Sequence, residues 1–178
     1  MDMYFVAVVL PPDLNEKVFI WKQYMFQQYK CAVGLKSPAH ITIIPPFWMH
    51  PDKEDEFISE VDLLSAQIQP FPIATNNFSA FKPRTLFIDV KENHDLINLK
   101  SKASNFFAGK EYKIKLENRP FYPHITIATR DLYKKDFYEA WPLFENKEFG
   151  EEWQAEGLSI LRHNKKNWDV IYTSQFLI

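Results

Sequence analysis

The tetrapeptide His-Ile-Thr-Ile occurs twice, at residues 40–43 and 124–127. The copies lie 84 residues apart in a chain of 178, so the offset is close to half the length. The surroundings repeat as well. Each half reads strand, helix, histidine-bearing strand, helix, hairpin. Self-similarity at this scale points to a duplicated architecture, two similar lobes facing each other, and not to a solenoid of short repeats.

The element order follows from hydrophobic periodicity. Tyr4-Phe5-Val6-Ala7-Val8-Val9-Leu10 reads as a buried strand stopped by Pro11-Pro12. Leu14, Val18, Trp21, Met25 and Tyr29 recur at spacings of three and four, which predicts an amphipathic helix over 14–29, with Asp13 as cap or first-turn acid. Residues 40–44 form the next strand, ended by Pro45-Pro46. A helix over 52–69 places Phe57, Val61, Leu64 and Ile68 on one face. An antiparallel pair over 71–81 and 85–90 turns through Lys82-Pro83-Arg84. The second half predicts a helix over 95–107 entered through Asn93-His94, a short strand over 114–116, a strand over 124–129 and a helix over 132–144. A last hairpin, 152–161 with 168–177, has a basic tip over 162–167. The expected fold is α+β: one bilobal domain over 1–178, with halves of roughly 1–90 and 91–178. Two antiparallel sheets would line a central cleft, with helices outside.

In a strand, alternate side chains share a face, so His and Thr two apart project together, about 6.6–7 Å from one another along the strand. The isoleucines between them face the core. Each tetrapeptide therefore anchors itself with hydrocarbon while presenting an imidazole and a hydroxyl. Two such pairs suit in-line displacement at phosphorus, which needs a base near the attacking oxygen and an acid near the leaving one. An unperturbed imidazole, with a pKa of about 6.5, supplies either role near neutral pH. Threonine hydroxyls can hold the non-bridging oxygens, where charge gathers in the transition state. The candidate catalytic residues are His40 and His124, and the candidate phosphate-binding residues are Thr42 and Thr126.

This double motif, its spacing and the duplicated α+β order resemble the 2H phosphoesterase superfamily, which includes bacterial 2′-5′ RNA ligase-like proteins and RNA 2′,3′-cyclic phosphodiesterases. The resemblance covers essentially the whole chain. It implies a cleft between two lobes, two catalytic histidines, two phosphate-holding threonines and no metal or other cofactor. It also implies a small nucleotide or an RNA end with a cyclic phosphate as the partner. The reaction expected is hydrolysis of a 2′,3′-cyclic phosphate or related cyclic nucleotide. RNA end-joining on the same site, and a nucleotide- or RNA-end-binding module without turnover, are the alternatives. The resemblance further points to an arginine shortly after the second motif. Arg130 stands six residues beyond His124, one later than the family's usual spacing, and shares its face if the strand stays regular; a solvated strand-end arginine is the competing reading.

Further substrate-binding candidates are Phe47, which would stack on a base, and Tyr122, which precedes the second motif. Core packing competes for both. Lys82, Arg84 and the basic tip read as solvated turns, and His50, His94 and His163 as surface residues. Charge and cysteine usage bound the remaining classes. A formal net charge of −2 is not the footprint of a protein that binds long duplex nucleic acid. Cys31, the only cysteine, leaves no intramolecular disulfide and no cysteine cluster for zinc. Neither an H-E-x-x-H motif nor a glycine-rich phosphate loop occurs. The apolar run at 3–10 is too short to span a membrane, so a cytoplasmic monomer is expected.

Overall fold

The computed structural model describes residues 1–115 and 117–177. In order the chain forms β1 (Asp2–Val9), α1 (Pro12–Tyr29), β2 (His40–Met49), α2 (Glu54–Ser65), β3 (Phe71–Phe81), β4 (Thr85–Val90), α3 (His94–Ala108), β5 (His124–Ala128), α4 (Lys134–Phe144), β6 (Glu152–Ala155), β7 (Gly157–His163) and β8 (Trp168–Gln175). The strands make two four-stranded antiparallel sheets, ordered β2-β1-β7-β8 and β5-β4-β3-β6. The expected α+β class with two antiparallel sheets is what the chain adopts.

Local chemistry explains most boundaries. Pro12 opens α1, where its missing N–H costs nothing, and Asp13 sits in the first turn without capping. Lys30 ends the helix in a left-handed conformation, φ 61°. Asn93 caps α3, its Oδ1 accepting the Leu96 amide at 3.0 Å. Aromatic side chains knit the core. Phe57 meets Phe47, Phe107 and Tyr112 with ring centroids 5.0–5.3 Å apart. Trp21, Phe78 and Phe144 form a second knot at 5.1–5.8 Å. Among the described residues no helix is long and apolar enough to cross a membrane.

Several expectations need correction. Pro45-Pro46 does not end the histidine strand: β2 runs on to Met49. It is an edge strand, and the pairing shifts between Val6↔Ile44 and Tyr4↔Phe47, so both prolines sit at a bulge opposite Phe5. The helix expected over 52–69 is α2 alone, after a 3₁₀ turn at Pro51–Lys53. Ile114 and Lys115 join no strand, and Leu116 lies outside the described residues.

The expected strand over 152–161 is two strands. β6 pairs with β3, and β7 pairs with β1 and β8, so the chain changes sheets at Glu156. The Phe176 amide donates to the Glu156 carbonyl at 2.7 Å there. Gly157 follows because a Cβ would collide with the Ser174 carbonyl oxygen. As a result the strands do not divide at residue 90: β3 and β4 belong with β5 and β6, whereas β7 and β8 return to β1 and β2.

Candidate active site

The two motif strands are the outer strands of their sheets, β2 in one and β5 in the other, and they contact each other. Crossed helices draw them together. α1, which follows β1 in the chain, packs on β5 of the other sheet, and α3, which follows β4, packs on β2 of the other sheet. The 3₁₀ turn at Val33–Lys36, just ahead of β2, lies against β5. Gly34 makes that approach possible, since a Cβ would collide with the Ile127 carbonyl oxygen. Asp131, just past β5, clamps the same segment. Its Oδ2 accepts the amides of Ala32 and Val33 at 2.6 and 3.0 Å.

Within this frame the tetrapeptides behave alike. In both, the histidine and threonine are half-buried and the isoleucines fully buried. The His40 Nδ1 lies 2.7 Å from the Pro38 carbonyl oxygen, and the His124 Nδ1 lies 2.7 Å from the Tyr122 carbonyl oxygen. A carbonyl cannot donate, so each Nδ1 carries the hydrogen and each Nε2 is left with a lone pair when the ring is neutral. Among the described residues no side-chain hydrogen bond engages Thr42 or Thr126, which leaves both hydroxyls available.

The electrostatics of the rings differ. Burial pushes His40 down to about 4, with Lys22 and His124 pushing the same way against the Pro38 hydrogen bond. His124 is also lowered by burial, but its Tyr122 hydrogen bond, Asp89 and Glu117 oppose the shift. Asp89 lies directly across β4 from His124 in the strand register. The His40 ring packs on Phe5 at 4.9 Å, and the His124 ring lies 5.1 Å from both Phe81 and Phe87.

The remaining candidates separate. Tyr122 is 48% exposed and stands beside His124, against Phe81 and Phe87. Phe47 is a core residue, 3% exposed and packed on Tyr4 and Phe57, so it offers no face to a base. β5 ends at Ala128, and a turn follows in which the Leu132 amide donates to the Thr129 carbonyl. The strand parity expected to align Arg130 with His124 therefore stops short of it, and Arg130 is exposed in the turn. His163, expected at the surface, is half-buried against Trp168, which itself packs on Phe5.

Sequence reasoning missed Lys22, Asp89 and Glu117. Lys22 had a signal, since it falls four residues after Val18 on the buried face of α1. Asp89 and Glu117 had none, because only strand pairing and loop course bring them to His124. Two cavities, of about 340 and 190 Å³, lie beside Trp48 and Tyr112 and beside Val9 and Trp153, and neither histidine lines them. Among the described residues no group of three His, Cys, Asp or Glu side chains could hold a metal ion.

Comparison with known proteins agrees with this fold. A protein of Geobacillus kaustophilus named "Putative phosphoesterase" is 31% identical over 142 residues, covering 78% of this chain and 76% of that one. A likewise named protein of Geobacillus thermodenitrificans is 32% identical over 107 residues, and that match spans 58% of each chain. Among solved structures, TT0787 of Thermus thermophilus superposes with a TM-score of 0.69 at 20% identity, covering 99% of this chain and 98% of that one. Escherichia coli LigT complexed with 3′-AMP gives 0.61 at 16% identity over 98% of both chains. Residues 11–167 match the family described as the 2′-5′ RNA ligase superfamily. With paired motifs on adjoining sheet edges, the fold of those neighbours and a family match across most of its length, the chain belongs to the 2′-5′ RNA ligase superfamily of 2H phosphoesterases.

Proposed function

We propose that the protein is a metal-independent phosphoesterase that opens a 2′,3′-cyclic phosphate, on a nucleotide or an RNA end, between His40 and His124. One observation carries this reading. Both rings have Nδ1 tied to the carbonyl two residues back, so both offer Nε2 as the working nitrogen from adjoining sheet edges.

In the proposed reaction one Nε2 takes a proton from water as its oxygen attacks phosphorus. The bond from phosphorus to one ribose oxygen breaks, and the other imidazole, protonated at Nε2, gives that oxygen a proton. The product is a phosphomonoester with a free hydroxyl beside it. Thr42 and Thr126 donate to the non-bridging oxygens as charge builds there. Both proton transfers run through imidazole, so no step calls for a metal. The solved complexes of LigT with 3′-AMP, NADP+ and ATP support a nucleotide as the ligand class.

The test is incubation of purified protein with nucleoside 2′,3′-cyclic phosphates in EDTA, following the monoester by phosphorus NMR. Turnover should persist in EDTA and collapse in both His40→Ala and His124→Ala. Undiminished turnover in either variant would falsify the reading. Ligation would use the same acid and base with the hydroxyl of a second RNA end attacking phosphorus in place of water, and incubation with cleaved RNA halves distinguishes it by a joined product.

A further inference from the structure

Lys22 is buried in α1, 3% exposed, with an ammonium whose recorded hydrogen bond goes to the Ser37 carbonyl at 3.0 Å. The next carbonyl along, that of Pro38, holds the His40 ring. The ammonium and the imidazole thus hang from consecutive peptide groups of one segment. Asn15, also from α1, secures that segment by accepting the Ala39 amide at 2.7 Å. No carboxylate pairs with Lys22 among the described residues. Asp131, on the neighbouring turn, has its Oδ2 committed to the Ala32 and Val33 amides and its Oδ1 buried with no hydrogen-bond partner among the described residues. A buried ammonium without a carboxylate partner is costly, and lysine is almost never fully buried unless paired. Its presence here asks for a function.

We propose that Lys22 is a positioning residue for this site, a buried cation behind His40 that assigns the proton-accepting role to His40 and the proton-donating role to His124. The inference rests on the two-histidine reading. Lys22 from α1 and His124 from β5 are the charged or titratable groups bearing on His40, while β1 offers only the Phe5 ring. Around His124 stand Asp89 from β4 and Glu117 from the preceding loop, both of which favour its protonated form. Burial brings Lys22 itself down to about 8, so its charge is present below that pH. Between about pH 4 and about pH 8 His40 is neutral while Lys22 is charged, and it is His40 that receives the water proton at Nε2. His124 is the ring poised to give one to the ribose oxygen.

The decisive experiment titrates the ring resonances of His40 and His124 by NMR in the free protein. Lys22→Met removes both the charge and the hydrogen bond, Lys22→Gln keeps a donor for Ser37, and Lys22→Arg keeps the charge. His40 should titrate about 1 pH unit higher in the Met and Gln variants, the low end of what one nearby charge does. The Arg variant should stay near wild type, and both neutral variants should fold with stability no lower than wild type. In wild type the acidic limb of kcat/KM for cyclic phosphate hydrolysis should track His40, and in the neutral variants it should move up with it.

Unchanged His40 titration in both neutral variants overturns the proposal. So does loss of the fold in both, which would make Lys22 a structural donor. A limb that ignores a shifted His40 overturns the assignment of the acceptor. If wild type opens no cyclic phosphate at all, the two-histidine reading falls, yet the ring titrations still decide what Lys22 does to His40.

Discussion

The His40 and His124 halves of the site share a backbone device and differ in charge. Each has an edge strand, buried isoleucines, a half-buried His–Thr pair and an Nδ1 held by the carbonyl two residues back. His40, however, has a buried ammonium behind it, and His124 has two carboxylates beside it. Even the lysines from the crossed helices differ. Among the described residues no carboxylate pairs with Lys22, whereas Lys100 of α3 bonds the Ile43 carbonyl at 2.8 Å and pairs with Glu117 at 3.3 Å. The two motifs share one geometry and differ in the charged groups around them.

The sharpest way to break the comparison is to remove the rings. His40→Ala and His124→Ala should each lower kcat by roughly 10²–10⁴-fold, the usual worth of general acid–base action. The double variant should lose little more, because the two act as a unit. A double loss equal to the product of the single losses would mean that they act separately. The shared hydroxyls come next. Thr42→Val and Thr126→Val should each cost about 10²-fold in kcat, as loss of one oxyanion donor does. A pure KM effect would place them on the ground state instead.

Gly34→Ala tests what brings the halves together. The new Cβ meets the Ile127 carbonyl, and denaturant unfolding should show about 1–3 kcal/mol of lost stability. Gly109→Ala is the control, since no atom lies within 4 Å of its added carbon. The subtlest probe is pH. His40 accepts a proton only when neutral, so kcat/KM should rise as pH climbs through about 4. His124 must be protonated, and burial holds it below 6.5, so activity should fall as pH rises through that lowered value. Asp89→Asn removes a carboxylate that favours the proton, which should move the alkaline limb to lower pH and leave the acidic limb in place.

The sequence carries the fold at the level of periodicity. Apolar spacing located α1, α3 and the β3–β4 pair within a residue or two, because each buries one face on a neighbour. It failed where a residue's meaning depends on its partner. Pro45-Pro46 read as a stop because proline breaks ladders, yet on an edge strand opposite a bulge it breaks none. Residues 152–161 read as one strand because nothing local marks a change of sheet at Glu156. The motif residues could be named because their pattern occurs twice. Phe47 stays ambiguous in the sequence, because an aromatic looks the same in a core as on a stacking platform, and its burial settles it as core. Arg130 was judged on a parity that requires a strand which ends at Ala128.

The central claim is that one phosphate touches both imidazoles, and titration of the protein with a nucleoside 3′-monophosphate tests it most directly. With both rings followed by NMR, the His40 and His124 Nε2 resonances should shift together along a single 1:1 isotherm. A response confined to one ring, or two isotherms with different midpoints, would contradict it.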